Sequence, residues 1–469
     1  MDRRDFLRIS ASAATVAGIA PWMRADASTS KLRAWVTSDS RRFQQAPCAQ
    51  WNTEADIRDN AIHLLPEQRY QDILGFGAAF TDASCWLIMQ MPAPQRTALL
   101  QELFGPSGLR FSLGRTCIGS SDYSLSAYTF DDAGSPNAPD TAMDHFTIEH
   151  DRGWILPCLR EARALDPNLF LFSSPWSPPA WMKSNNSIYG GSMRNRYFEA
   201  YAKYFVNFLE QYAAAGVPIN AVTVQNEVDT DQDGRMPAAL WGQEYEITFV
   251  KTHLGPALAK ASPQTKIWIL DHNYNLWGRA LDELSDPAVE QYVDGVAWHG
   301  YYGGADAMTH VHDSFPGKNA YWTEGGPDYT DPLYTKDWTK WSSTFTNVLR
   351  NWSRCICGWN LALDEKGKPD IGPFSCGGLV TIDSASHQIT RSGQYWAFAH
   401  FSKLMGRGAR IFASKGDIAG VSHVAAENPD GSQVLILTNE AHEQSVQCVL
   451  ESRSINVTLP ADSVTSLSW

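Results

Sequence analysis

The chain has 469 residues, of which 43% are hydrophobic and 19% are charged, and its formal net charge is −13. A chain of this length and composition is long enough for one large domain and a smaller one, and it can bury a sizeable core. The acidic balance argues against a nucleic-acid partner and against adhesion to anionic lipid, because both depend on clustered Lys and Arg.

The N-terminal residues predict an export signal. Arg3-Arg4 precede Phe6-Leu7 and an alanine-rich apolar stretch, as in a twin-arginine signal, and Ala25-Asp26-Ala27 suits a small-residue cleavage site. The apolar stretch is too short to span a bilayer comfortably, and no later segment reaches the ~18 uncharged apolar residues that a spanning helix needs. We expect a signal peptide over 1–27, no transmembrane segment, and a mature protein that is periplasmic or secreted.

The middle of the chain alternates strand-like and helical patterns. Residues 28–72 contain short alternating segments that predict strands. Over 73–378, eight β-like runs are separated by amphipathic helical patterns; the runs are "ILGFGAAF", "LRFSLGRTCIG", "LFLFSSPWSP", "AVTVQNE", "KIWILDHN", "VDGVAWHG", "NAYWTEGG" and "RCICGWNLAL". Eight such alternations over roughly 290 residues match the arithmetic of a (β/α)8 TIM barrel.

The C-terminal part, 379–469, has a different sequence pattern. Short alternating strands such as "GARIFAS" and "SVQCVLES" follow one another, and Asp430-Gly431 supplies a hairpin turn signal. This pattern predicts a β-sandwich. Because 28–72 is also strand-like, we expect those first strands to join it, which makes the sandwich a discontinuous side domain of an α/β protein.

Two glutamates end predicted strands of the barrel. Glu227 closes the fourth run and Glu324 closes the seventh, so a barrel would bring both to one rim. Two carboxylates across a cleft are the minimum apparatus for glycoside hydrolysis, and a separation of about 5 to 5.5 Å gives retention of configuration. A lone Asn-Glu at a strand end is more often a structural cap or a surface pair. The joint placement on strands four and seven favours a catalytic pair.

Several motifs together resemble one known family. The stretches "GFGAAFTDASC", "SSPWSPPAWMKSN", "AVTVQNE", "HLGPALA", "YVDGVAWHGYY", "GWNLAL" and "HFSKL" are similar to the glucosylceramidase group of retaining β-glycoside hydrolases, glycoside hydrolase family 30. The resemblance implies a barrel with a side β-sandwich, with Glu227 as acid/base and Glu324 as nucleophile. It also implies substrate-binding roles for Asp122, Trp176, Asn226, His299, Tyr301 and Trp359.

The chain departs from the family pattern at two positions. Val228 follows the acid/base where family members usually have Pro, and Gly300 stands between His299 and Tyr301 where a relative has Trp. The second departure concerns the aglycone side of the pocket.

Several of these residues also have a purely structural explanation. His299 and the two tryptophans could be core residues, and Asp122 could cap a turn. "DTDQDG" at 229–234 imitates the start of a calcium loop, but Leu240 occupies the position that requires Glu, so an acidic solvated loop is favoured. "GFGAAF" lacks the full dinucleotide fingerprint. We therefore expect neither a metal nor a cofactor.

The sequence predicts an exo-acting, retaining β-glycosidase for β-D-glucosides, with a glycolipid such as glucosylceramide or an oligosaccharide as substrate. A β-1,6-glucanase or β-xylosidase of the same family is the alternative, and a non-catalytic carbohydrate-binding barrel is a remote one. An esterase is not supported, because no Gly-x-Ser-x-Gly elbow occurs. The oligomeric state stays open.

Overall fold

A computed structural model describes residues 32–53 and 56–469. The predicted signal peptide, 1–27, lies outside the described residues. No helix within these two described ranges has the length and apolar character needed to cross a bilayer.

The strands of the described residues form three sheets. The first strands along the chain are β1 (Arg33–Ser38), β2 (Arg41–Ala46) and β3 (Ile62–Asp72). The next eight are β4 (Gly75–Phe80), β5 (Leu113–Cys117), β6 (Phe170–Ser174), β7 (Ala221–Thr223), β8 (Lys266–Asn273), β9 (Val293–His299), β10 (Asn319–Glu324) and β11 (Ser353–Gly358). The remaining strands are β12 (Ala362–Leu363), β13 (Val380–Ile382), β14 (Ile389–Arg391), β15 (Arg410–Lys415), β16 (Val421–Glu427), β17 (Gln433–Asn439), β18 (Gln444–Leu450), β19 (Arg453–Leu459) and β20 (Ser463–Ser468).

The α-helices lie mainly between the strands β4 to β11. They are α1 (Asp82–Gln90), α2 (Ala93–Phe104), α3 (Ile155–Leu165), α4 (Phe198–Ala214), α5 (Gln243–Phe249), α6 (Gly255–Ala261), α7 (Trp277–Leu284), α8 (Pro287–Glu290), α9 (Asp306–Ser314), α10 (Trp338–Arg350) and α11 (Gly393–Ser402). Helix α4 buries an aromatic face, and the chain leaves it through Gly216, whose φ of +83° favours glycine after a helix end.

Strands β4 to β11 close into a parallel barrel in chain order, with β11 pairing back to β4. All eight predicted runs supply a strand, so the predicted (β/α)8 barrel is confirmed. Most runs extend beyond their strands, and the strand expected over Ala221–Glu227 ends at Thr223 as β7.

The barrel interior changes from apolar to polar toward the carboxyl ends of its strands. A buried apolar layer contains Leu113, Phe172, Ala221, Trp268, Ala297, Tyr321 and Cys355. Because side chains alternate along a strand, the residues two positions further point the same way. Five of these seven residues are polar and buried: Arg115, Ser174, Thr223, His299 and Thr323. The packed layer thus supports a polar one directly beneath the functional face.

The other large sheet has nine strands in the order β19-β18-β3-β15-β16-β17-β20-β1-β2. Strands β1 and β3 therefore sit in the same sheet as β15 to β20, as the predicted discontinuous β-sandwich requires. Leu32 and Ala34, near one end of the sheet, share an apolar cluster with Val446 and Ile455 near the other end, so the sheet folds over on itself. The domain bounds at 72/73 and 378/379 stay a prediction, since β12 to β14 and α11 lie between the barrel strands and β15.

Candidate active site

Glu227 and Glu324 reach the carboxyl end of the barrel by different routes. Glu324 is the last residue of β10. Glu227 lies beyond the end of β7, where its N–H donates to the carbonyl of Asp271 at 3.0 Å and its φ of +55° lies in the left-handed region. Non-glycine residues in that region cluster at functional sites, because the surrounding structure must hold them there.

Both glutamates face one cavity of about 520 Å³. Five of the six predicted substrate-binding residues also line it: Asp122, Trp176, Asn226, Tyr301 and Trp359. The sixth, His299, is fully buried beneath the cavity and contacts the glutamates instead.

A buried charged pair, Arg115 and Asp271, lies under the cavity. Arg115 donates from Nη1 to Glu324 Oε2, and from Nη2 to Asp271 Oδ2 at 2.8 Å and Asn226 Oδ1 at 2.7 Å. Because a guanidinium only donates, it fixes the amide of Asn226 with its oxygen inward and leaves the nitrogen as the end available to a ligand.

Asp271 accepts hydrogen bonds from most of the side chains of the polar layer. Its Oδ2 accepts from Ser174 at 2.7 Å and lies 2.8 Å from the Thr223 hydroxyl, while its Oδ1 accepts from His299 Nε2 at 3.0 Å and from Thr323 at 2.7 Å. Burial raises the pKa of Asp271, but Arg115, His299 and the hydroxyls outweigh burial and hold it well below its usual range.

His299 lies between the two glutamates. Its Nδ1 is 3.4 Å from Glu227 Oε1, and its Nε2 is 3.8 Å from Glu324 Oε2. Burial lowers the pKa of His299, but the surrounding carboxylates, Glu324 first, raise it to about 9. At neutral pH the ring is therefore a cation shared by three carboxylates.

The pKa values of the two glutamates are shifted in opposite directions. Burial raises the pKa of Glu227, but His299, His272 and the Gln232 amide, which donates to Oε2 at 2.7 Å, outweigh burial and lower it overall. Burial raises the pKa of Glu324, and the charge of Glu227 adds to this effect, although His299 and Arg115 oppose it. Two coupled carboxyls of this kind titrate as a pair.

The opposite side of the cavity carries Asp122 and two tryptophans. Asp122 is 4% exposed, and its Oδ1 has no hydrogen-bond partner among the described residues, so it is an acceptor ready for a ligand hydroxyl. Burial and the charges of Glu324 and Glu227 raise its pKa. Trp176 and Trp359 stack with ring centroids 5.2 Å apart, and both line the cavity.

The mouth of the cavity is partly aromatic. Tyr301 donates its hydroxyl to Glu324 Oε1 at 3.0 Å while much of its ring is exposed, and Phe374 is 41% exposed on the same rim. At Gly300 an added Cβ would meet the Trp322 ring at 2.6 Å. The Trp of the family pattern therefore has no space here unless Trp322 moves.

Four residues of the site were missed from the sequence. The sequence does mark Arg115 and Asp271, because each is a charged residue within or near the end of an apolar strand run. His272 follows Asp271 and lines the cavity, and Gln232 lies in the acidic 229–234 loop, where no motif marks it. Among the described residues, Glu227, His272 and His299 also form the group whose ligand atoms are close enough to hold a metal, within 4.8 Å of one another.

Comparisons with known proteins cover nearly the whole described chain. Residues 73–405 match a family model described as "Glycosyl hydrolase family 30 TIM-barrel domain", and residues 408–467 match "Glycosyl hydrolase family 30 beta sandwich domain". The chain is 35% identical to an endo-1,6-beta-D-glucanase of Neurospora crassa over 81% of each chain. It is 28% identical to the lysosomal acid glucosylceramidase of Mus musculus over 81% of this chain and 78% of the relative. The solved structure of the endo-beta1,6-glucanase BT3312 superposes with a TM-score of 0.84 at 29% identity, covering 93% of this chain and 99% of that one.

Proposed function

The chain belongs to glycoside hydrolase family 30, and on that premise we propose that it hydrolyses β-D-glucosides with retention of configuration. Glu324 acts as the nucleophile and Glu227 as the general acid and base. The observation that carries the proposal is the meeting of two carboxylates at one cavity, the buried Glu324 on β10 and the partly buried Glu227 beyond β7. Double displacement needs one carboxylate to attack the sugar and another to protonate the leaving oxygen.

Glu324 is held as a nucleophile should be. Arg115 donates to one of its oxygens and the Tyr301 hydroxyl to the other, so the carboxylate has little freedom to rotate. Burial keeps it poorly solvated, which removes the water shell that an attacking oxygen would otherwise have to shed. Arg115 also compensates its charge before attack.

Glu227 must carry a proton when a glycosidic oxygen arrives. Its lowered pKa depends in part on the Gln232 amide and on His272, both at the cavity wall. A bound glucoside would displace the amide from Glu227 and shield the carboxyl from solvent, and both changes raise the pKa of an acid. Substrate binding therefore raises the pKa of Glu227 and lets it hold the proton that the leaving group needs. His299 lies below the cavity and acts on the reaction only through its contacts with the two glutamates.

The glycone end of the cavity suits a glucosyl unit. Asp122 offers an unpartnered oxygen to the hydroxyls remote from the reacting carbon, Asn226 presents its amide to the 2-hydroxyl, and the tryptophans Trp176 and Trp359 supply apolar walls. Behind Asp122, the N–H groups of Ile371 and Gly372 donate to its carbonyl at 2.7 and 3.2 Å. This backbone holds Asp122 in place from behind, and a glycone site that ends at Asp122 would favour exo action on a terminal glucose.

The natural aglycone is the finer question. The aromatic mouth fits either a lipid such as the ceramide of glucosylceramide or a second sugar. Endo action on a β-1,6-glucan is the second candidate, because the Neurospora relative and the superposable solved structure both carry that name. Incubation with glucosylceramide, β-1,6-glucan, aryl β-glucoside and aryl β-xyloside separates these candidates. Glucose as the first product from glucan supports exo action, whereas early gentio-oligosaccharides would establish endo action.

The role of Glu227 has its own test. A general acid matters most for a poor leaving group, whose developing charge it neutralises. Glu227→Ala should nearly abolish hydrolysis of alkyl or lipid glucosides and spare the first step with a nitrophenyl glucoside. Azide should rescue the slow second step and yield β-glucosyl azide. Equal losses on good and poor leaving groups, with no effect of azide, would make Glu227 a binding residue only.

A further inference from the structure

Two imidazole nitrogens converge on one oxygen of Glu227. His272 Nδ1 lies 3.7 Å and His299 Nδ1 lies 3.4 Å from Glu227 Oε1, and the three ligand atoms all lie within 4.8 Å of one another. Tetrahedral zinc with ligand bonds of about 2.0–2.1 Å places neighbouring ligand atoms about 3.3–3.4 Å apart. The two separations from Glu227 Oε1 are within a few tenths of an ångström of that spacing, and the two imidazole nitrogens lie no more than 4.8 Å apart.

Neither imidazole nitrogen is otherwise engaged. His272 is 8% exposed and His299 is fully buried, yet the Nδ1 atoms of both lack a hydrogen-bond partner among the described residues. Buried polar atoms normally have hydrogen-bond partners, so two unpartnered Nδ1 atoms that both face Glu227 Oε1 need an explanation. A metal ion bound between them would supply one, and it would displace the proton that His299 carries at neutral pH.

The opposite nitrogen of His299 is already fixed. Its Nε2 contacts Asp271 Oδ1 at 3.0 Å, an arrangement that orients the ring and leaves Nδ1 facing Glu227. Histidines that bind metals usually donate their other ring N–H to a carboxylate in this way, and the contact raises ligand basicity.

The chemistry of the three donors selects the ion. Imidazole nitrogens suit zinc and similar transition metals, whereas calcium and magnesium take oxygen ligands. Glu227 and His272 both line the cavity, so the remaining coordination position faces the space that substrate would enter. Three protein ligands with one open position is a stable arrangement for zinc.

We propose that Glu227, His272 and His299 form a zinc site, and that zinc bound there blocks the glycosidase reaction. The binding half stands on the geometry alone. The inhibitory half rests on the proposed function, because an oxygen bound to zinc cannot carry the proton that the leaving group needs.

Metal binding is tested on the mature protein by calorimetric titration with zinc chloride and by the visible absorption of added cobalt(II). We expect one ion per chain and a cobalt spectrum of nitrogen and oxygen ligands. His272→Gln removes one ligand and should weaken binding at least about tenfold, while His442→Gln, an exposed histidine of the sandwich, should not. No binding, equal binding by His272→Gln, or a thiolate-to-cobalt band would overturn the site.

Inhibition is tested separately with an alkyl β-glucoside, whose poor leaving group needs the proton of Glu227. Zinc should inhibit the wild-type protein and the His442→Gln variant at the concentrations at which it binds, a chelator should restore activity, and His272→Gln should need at least about tenfold more zinc. Stoichiometric binding through His272 without inhibition would overturn the inhibitory half, and the azide rescue of Glu227→Ala decides separately whether Glu227 is the acid and base. Absence of binding would leave the proposed hydrolase function untouched, so the two failures are distinct.

Discussion

Replacing Asp271 by Asn tests whether the polar layer of the barrel is organised around one charge. The substitution keeps the shape of the side chain and removes its negative charge. One of the two oxygens becomes an NH₂ group, which can only donate. Whichever way the amide is turned, that NH₂ faces either Arg115 Nη2 or His299 Nε2, which are 2.8 and 3.0 Å from the present oxygens.

The expected loss follows from these contacts. The neighbouring hydroxyls can rotate to accept from an amide, but the guanidinium and the charged imidazole cannot. A lost hydrogen bond to a charged group is worth about 1.5–3 kcal/mol. Breaking a fully buried ion pair from one side costs about 3–5 kcal/mol, because it leaves a buried charge without its partner. We expect Asp271→Asn to lower the free energy of unfolding by about 3–5 kcal/mol.

Urea unfolding of the mature protein, followed by tryptophan fluorescence, measures this loss. The matched control is Asp286→Asn, the residue before α8, whose side chain caps Ala288 N–H at 2.9 Å and pairs with Lys251. Asn caps a helix as well as Asp does, and a partly exposed ion pair contributes little to stability, so the control midpoint should move far less. If Asp271→Asn unfolds at the wild-type urea concentration, the buried charge does not organise the layer and the reasoning is wrong.

Three further changes probe the site and the export signal. The His299 cation lowers the pKa of both glutamates, so His299→Gln should raise both and move both limbs of the kcat/KM profile to higher pH; unmoved limbs would contradict this. Asp122→Ala should reduce kcat/KM for an aryl glucoside by roughly 10- to 150-fold, the loss of one charged hydrogen bond, and an unchanged value would remove Asp122 from the glycone site. Replacing Arg3-Arg4 by Lys-Lys should leave folded protein in the cytoplasm, and unchanged secretion would exclude the twin-arginine route.

The barrel and its glutamate pair could be predicted because both leave a local pattern. The eight strand runs are apolar and end on polar, aromatic or glycine residues, and the strand ends of a barrel meet at one face. Glu227 and Glu324 therefore stood out although each alone is an ordinary residue. The family resemblance added roles for the cavity residues, and the structure places all of these but His299 in the cavity lining.

The support beneath the cavity could not be predicted from one sequence. Arg115 and Asp271 come from β5 and β8, and their pairing depends on which side of each strand faces the barrel axis. A bulge in β8 between Leu270 and His272 sets the direction of Asp271, and local propensity does not reveal a bulge. The early end of β7 also escapes the local pattern: its last pair with β8 is Thr223 with Trp268, and further along Glu227 N–H donates to the Asp271 carbonyl.

The most direct test of the proposed mechanism is to trap its covalent intermediate. An activated 2-deoxy-2-fluoro-β-glucoside should inactivate the enzyme with release of one leaving group per chain, and peptide mapping by mass spectrometry should find the fluorosugar on Glu324. Retention through a glycosyl-enzyme requires that bond. A label on any other residue, or turnover that gives the α-anomer as first product, would contradict the account.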